Sequence, residues 1–228
     1  MKYALILTHN RPELLQNCVS SIGPQVDRVI VIDNASEPPV QLEDPSFNYR
    51  REFVVFLTSV PDQPPNLAKF WNIGIDIVNR HQDVRPESEP QHIAFLCDDT
   101  VVPPGWFNAV TEAMTAHGAA AGCSNPWDGG HGEIVKTAPD SDITYRMPGW
   151  AWILDTSKGL RADERLHWWW CDTDMDWKAR RAGGMVMISG YPVHNIHPNE
   201  YTVRNPELSE QAGKDGQTFQ EIWGWRPW

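Results

Sequence analysis

Short, unbroken apolar runs separated by segments with helical spacing fill the first half of the chain, and they leave few folds open. Residues 3–8 read YALILT, 29–32 VIVI, 53–57 FVVFL and 93–96 IAFL. A strand with one wet face alternates apolar and polar residues, whereas a continuous apolar run marks a strand covered on both faces. Between the runs lie helix candidates. Residues 11–22 place Leu14, Leu15, Cys18, Val19 and Ile22 at helical spacing with Pro12 in the first turn. Residues 66–79 carry Leu67, Phe70, Ile73, Ile77 and Val78, and 104–117 follow the last run. Strands alternating with helices predict right-handed βαβ units and a mainly parallel sheet flanked by helices, an α/β, Rossmann-like architecture.

In such a sheet the ligand lies beyond the carboxyl ends of the strands. Those ends carry Thr8-His9-Asn10-Arg11, Asp33-Asn34-Ala35-Ser36 and Cys97-Asp98-Asp99-Thr100. All three are polar and are expected to converge on one edge. The second half reads differently. Residues 124–142, rich in Gly, Pro and Asp, predict a loop, and 144–154 a strand bent at Pro148-Gly149. Residues 168–182 predict a helix, 185–189 and 191–196 short strands. Beyond about residue 200 the chain is polar and then carries Trp223, Trp225 and Trp228. The expected organisation is one domain over 1–199, with a first half at 1–117 and a smaller subregion at 118–199, and a C-terminal tail at 200–228.

Charge and cysteine spacing narrow the function. Nineteen Lys plus Arg against 30 Asp plus Glu give a net charge of −11, which argues against a nucleic-acid partner held by phosphate neutralisation. No stretch approaches the ~18 apolar residues of a membrane span, and no basic amphipathic helix supports stable membrane insertion. Cys18, Cys97, Cys123 and Cys171 are far apart with no C-x-x-C pair. Neither a disulfide framework nor a structural zinc site is expected, and a reducing cytoplasm fits.

Several residues carry candidate chemistry. Asp98-Asp99 at a strand end suits Mg²⁺ or Mn²⁺, which favour one or two carboxylates plus phosphate oxygens and water, and suits equally a turn or helix cap. In Asp172-Thr173-Asp174-Met175-Asp176 a helix puts Asp172 and Asp176 on one face and Asp174 elsewhere. These carboxylates either complement the helix dipole or include a general base. His194 and His197, three apart on or after a strand, face opposite ways. Asn66 reads as an N-cap, and Lys69 one turn in opposes the dipole unless an anion lies nearby. No G-x-x-x-x-G-K-[ST] or G-x-G-x-x-G occurs, so P-loop and dinucleotide readings lose their support.

Taken in order, these pieces resemble the family-2 type glycosyltransferases of GT-A fold. ILTHNRPELLQNCVSSI resembles that family's opening strand and helix, VIVIDNAS its second strand, NLAKFWNIGI its diphosphate-approaching segment, FLCDDTVVPPGW its aspartate metal motif, and ADERLHWWWCDTDMDWKARRAG its acceptor-side segment. The resemblance runs from about residue 3 to 197. It implies a metal-dependent inverting transfer of a sugar from a nucleoside-diphosphate sugar to an acceptor hydroxyl. It assigns Thr8, Asn10, Arg11, Asp33, Asn34, Asn66, Lys69 and Asp98 to the nucleotide sugar, and Asp99 with His197 or His194 to a divalent cation, Mn²⁺ or Mg²⁺. Asp172 becomes the base. Cys97 and Cys171 depart from the family pattern, each replacing an acidic or amide residue. Acceptors of carbohydrate, lipid-linked and protein type stay open. Trp150, Trp169 and Trp170, with Asp174, are candidates for contact with acceptor or sugar, and the tail tryptophans for self-association. A sugar-phosphate nucleotidyltransferase lacks its usual Gly-rich basic loop here, and a non-catalytic carbohydrate-binding module would need no diphosphate site.

Overall fold

Tyr3 and Leu5 lie in one apolar cluster and Ala4 and Ile6 in another, all four at most 1% exposed. This period-two division explains why the first run has no polar face: both faces are covered. The computed structural model describes residues 1–40, 52–57, 63–84, 91–126, 132–142, 144–196 and 200–225. Strands β1 (Lys2–Thr8), β2 (Arg28–Asp33), β3 (Glu52–Leu57) and β4 (His92–Cys97) pair in parallel in the order β3-β2-β1-β4. Helices α1 (Pro12–Ile22) and α2 (Leu67–Val84) connect within this half. After β4 come a two-residue strand β5 (Thr100–Val101) and helix α3 (Trp106–His117).

The sheet continues with β6 (Ala121–Ser124), β7 (Ile134–Lys136), β8 (Ala151–Asp155) and β9 (Met185–Ile188) in the order β4-β8-β6-β9-β7. β8 is antiparallel to both its neighbours, β6 and β9 are parallel, and β7 is an antiparallel edge. The sheet is therefore mixed and mostly parallel, with helices on both faces. One face packs α1 and α3 through Leu15, Val19, Trp106 and Phe107. The other packs α2 and α4 (Cys171–Arg181) through Phe70, Trp71, Met175 and Trp177. There Trp152 stacks on Phe95, centroids 4.1 Å apart. Burying such side chains contributes roughly 1.5–3 kcal/mol each.

Three expectations change. Only Ala151–Asp155 of the bent strand at 144–154 is a strand, because Pro148 has no N–H to give a ladder. The loop at 124–142 contains β7, and Ser124 ends β6. Within 191–196 only β10 (His194–Asn195) is extended, paired with β5.

The polar tail is two helices, α5 (Glu200–Arg204) and α6 (Pro206–Trp223). Asn205 caps α6, its Oδ1 accepting from the Glu207 and Leu208 amides, and Pro206 sits where its missing N–H costs nothing. Phe219 is fully buried against Trp170 and Trp177, at 4.9 and 5.0 Å. Trp223 and Trp225 also pack on Trp177, Trp223 half-buried and Trp225 still exposed; Trp228 and Trp127 lie outside the described residues. The four cysteines are free. Among the described residues no helix is long and apolar enough to cross a membrane.

Candidate active site

Strand β1 has β2 on one side and β4 on the other. The connections therefore reverse direction between β1 and β4, which opens a crevice at their carboxyl ends. Thr8 and Asp98 flank this switch point, and the Thr8 hydroxyl donates to Asp98 Oδ2 at 2.8 Å. Arg11, one turn of loop beyond Thr8, places Nη1 3.3 Å from Asp98 Oδ1 and 3.1 Å from Asp99 Oδ2. Both carboxylates are buried. Burial pushes the Asp98 carboxyl up to about 6, although Arg11 and the Thr8 hydroxyl pull it back.

The loop after β2 closes the other side of β1. Asp33 is fully buried, and its two carboxylate oxygens accept from the Ser36 and Val40 amides, each at 2.9 Å. It thus shapes this loop rather than opening onto solvent. His9 Nδ1 donates to the Asn34 carbonyl at 2.7 Å. The Asn10 amide donates to Ser36 Oγ, and Asn10 Oδ1 accepts from the Glu37 amide. Among the described residues, three that are not glycine take a left-handed φ: Asn10 at 55°, Ala35 at 57° and Trp170 at 69°. Asn tolerates that region, but Ala and Trp pay roughly 1–2 kcal/mol each. The hydrogen bonds just named hold the first two.

The segment leading into β8 reaches the same edge through Trp150 and Gly149. The Cys97 amide donates to the Trp150 carbonyl at 3.0 Å, and so does the Thr100 hydroxyl at 3.1 Å. A Cβ on Gly149 would lie 3.0 Å from Asp172 Oδ2. Asp172, half-buried in the first turn of α4, therefore rests on the residue before Trp150. Burial pushes the Cys97 thiol up, and the charges of Asp99, Asp98 and Asp172 add to that push.

Helix α2 begins at this edge, as a crossover helix must after a parallel strand. Asn66 caps it, Oδ1 accepting from the Lys69 amide at 2.9 Å, while its Nδ2 donates to the Glu164 carbonyl. The Leu67 amide donates to the His167 carbonyl at 2.7 Å, which docks the start of α2 on the turn before α4. Lys69 is exposed.

Other candidates lie elsewhere. Asp174 is fully buried and faces α6: Lys178 Nζ at 2.6 Å, the Trp223 indole N–H at 3.0 Å and the Asp163 amide at 3.2 Å donate to it. Two residues along a helix turn the side chain by about 200°, so Asp172 and Asp174 cannot share a site. Trp170 is buried on Phe219, while Trp150 and Trp169 are half-buried. His194 is exposed on β10, next to a ribbon whose Ile196 amide bonds the Asp99 carbonyl. His197 lies outside the described residues.

The expected divalent cation is not matched by these side chains as arranged. Arg11 already lies between Asp98 and Asp99, where a cation would sit. Among the described residues no group of three or more His, Cys, Asp or Glu comes together to hold a metal ion.

His9, Ser36 and Gly149, which are not among the sequence candidates, join the parts of this edge through the contacts given above. His9 and Ser36 lie within the two polar strand ends, and their signal in the sequence is that position.

No protein-family model and no curated protein sequence matches the chain. Its fold does match solved structures. The S. aureus TarS 1–349 structure in complex with UDP is similar at a TM-score of 0.60 and 13% identity, over 98% of this chain and 71% of that one. GalNAc-T7 with UDP, GalNAc and Mn²⁺ is similar at 0.59 and 12%, over 85% and 43%. The chain also spans 43% of a longer TarS structure, at 0.53 and 13%. At this identity the likeness establishes architecture, and that architecture is the mixed, mostly parallel α/β sheet of the GT-A glycosyltransferase fold.

Proposed function

We propose that this chain moves a sugar from a nucleoside-diphosphate sugar to an acceptor hydroxyl, with inversion at the anomeric carbon. The observation that carries the reading is the cluster of Thr8, Arg11, Asp98 and Asp99 at the β1/β4 switch point, with Asp172 against Gly149, whose neighbour Trp150 accepts from the Cys97 amide at the end of β4. A TarS structure and GalNAc-T7, both similar in fold, are in complex with UDP, which supports a nucleotide-sugar donor. In this reading Asn10 and Asn34 line the nucleoside side, and Arg11 with Lys69 offsets the negative charge on the departing diphosphate. Asp172 takes the proton of the acceptor hydroxyl as its oxygen bonds the anomeric carbon in line and the carbon–diphosphate bond breaks. The half-buried indoles of Trp150 and Trp169 offer apolar faces to a pyranose ring. Because Arg11 occupies the position between the two carboxylates, no step here is routed through Mn²⁺ or Mg²⁺.

The test is a panel of UDP, GDP, CDP and dTDP sugars incubated with the full chain, each with Mn²⁺, without it and with EDTA, scored for released nucleoside diphosphate. At least one sugar should be cleaved above the no-enzyme rate, with UDP raising the melting temperature. Silence across the panel in every metal arm overturns the reading.

A further inference from the structure

Three consecutive backbone amides converge on one buried carboxylate of the C-terminal helix. Asp215, 1% exposed, accepts from the His167 amide on Oδ1 at 3.1 Å. Its Oδ2 accepts from the amides of Trp168 and Trp169, at 2.7 and 2.8 Å. Gln211 Nε2 adds a fourth donor to Oδ1 at 2.8 Å. Successive N–H groups of a turn form a concavity suited to an anion, and here the anion comes from the chain itself. Trp170 follows at once in the left-handed conformation, and the Asp174 amide bonds its carbonyl to start α4. Asp172 is the second residue of that helix.

We propose that Asp215 is a positioning residue for sugar transfer: it locks the 167–169 turn and thereby fixes where α4 begins and where the Asp172 carboxylate stands relative to the β4 edge. The inference rests on the transfer reading above. A neutral amide cannot replace the carboxylate, since an NH₂ at either oxygen position would meet one or two backbone donors.

The test compares the full chain with Asp215→Asn and, on the exposed side of the same helix, Lys214→Ala. Amide hydrogen exchange at 167–169 should quicken by about tenfold or more in Asp215→Asn. For the nucleotide sugar that the wild-type chain cleaves fastest, kcat should fall about tenfold or more, because misplacing a reacting group costs rate. The donor KM and the UDP dissociation constant should stay within about threefold. Lys214→Ala should change none of these. If Asp215→Asn loses its near-UV circular dichroism, Asp215→Glu replaces it, keeping the charge one methylene further out and giving a smaller kcat loss. Unchanged exchange at 167–169 overturns the lock. Faster exchange with wild-type kcat overturns the positioning role. A wild-type chain that cleaves no nucleotide sugar defeats the transfer reading instead, and exchange alone still decides whether Asp215 holds the turn.

Discussion

The Thr8 hydroxyl lies 2.8 Å from Asp98 Oδ2, joining the carboxyl ends of the two strands between which the chain reverses its direction of sheet growth. Thr8→Val keeps the shape and deletes the donor. A buried carboxylate oxygen then loses a partner, for which the cost is about 1–3 kcal/mol. Urea unfolding at neutral pH should show that loss. A midpoint equal to wild type would mean the hydroxyl contributes nothing to holding the switch point.

Asp98 also makes stability depend on pH. Its carboxyl is pushed up to about 6 from 3.8, chiefly by burial. The folded state therefore holds this proton where the unfolded state has released it, so stability from this group falls as pH rises from about 4 to 6. A shift of that size is worth roughly 3 kcal/mol. Asp98→Asn lacks the titration, so its stability relative to wild type should improve as pH rises through that window. Parallel pH profiles for the two proteins would contradict the assignment.

Gly149 leaves room for Asp172. Adding a methyl group at 3.0 Å from Oδ2 and 3.3 Å from Cβ must move the carboxylate or the loop. Gly149→Ala should retain far-UV circular dichroism and UDP binding while nucleotide-sugar turnover drops by about 10–100-fold. Full turnover in that variant would show that Gly149 does not set the place of the Asp172 carboxylate.

Arg180 and Asp176 form a buried pair on α4, Nε–Oδ1 at 3.0 Å and Nη2–Oδ2 at 2.7 Å. Arg180 also donates to the carbonyls of Tyr145 and Ala138 and lies 3.1 Å from Asp140, so it ties these three residues to the helix. Arg180→Met alone should cost about 3–5 kcal/mol, because it strands a buried carboxylate. Arg180→Met with Asp176→Asn should cost less than the sum of the two single changes. Additive losses in guanidinium unfolding would show that the two residues are not coupled.

Where the sequence was legible, both faces of an element were apolar. β1, β2 and β4 stand out because each is covered on two sides, and α1 because Leu15, Cys18, Val19 and Ile22 face one cluster. β6 and β7 are four and three residues long, too short for any period to register. α6 buries only Leu208, Phe219, Asp215 and Gly216, so its apolar stripe is thin. Its start was nevertheless written in Asn205-Pro206-Glu207, a cap, a first-turn proline and a dipole-matched carboxylate. Of the site, Thr8, Arg11, Asp98 and Asp99 are visible as polar strand ends. Asp215 is not, because its partners are backbone amides 46–48 residues away, and an amide has no letter in the sequence.

The reach of that one carboxylate has a consequence for how the molecule comes into being. Along the chain, the contacts of the β1/β4 switch point are complete by residue 99, whereas the turn before α4 takes its anion from residue 215. More than a hundred residues of sequence separate the two. In the proposed transfer reading, the residues that would meet the donor are therefore synthesised well before the one that would place the base.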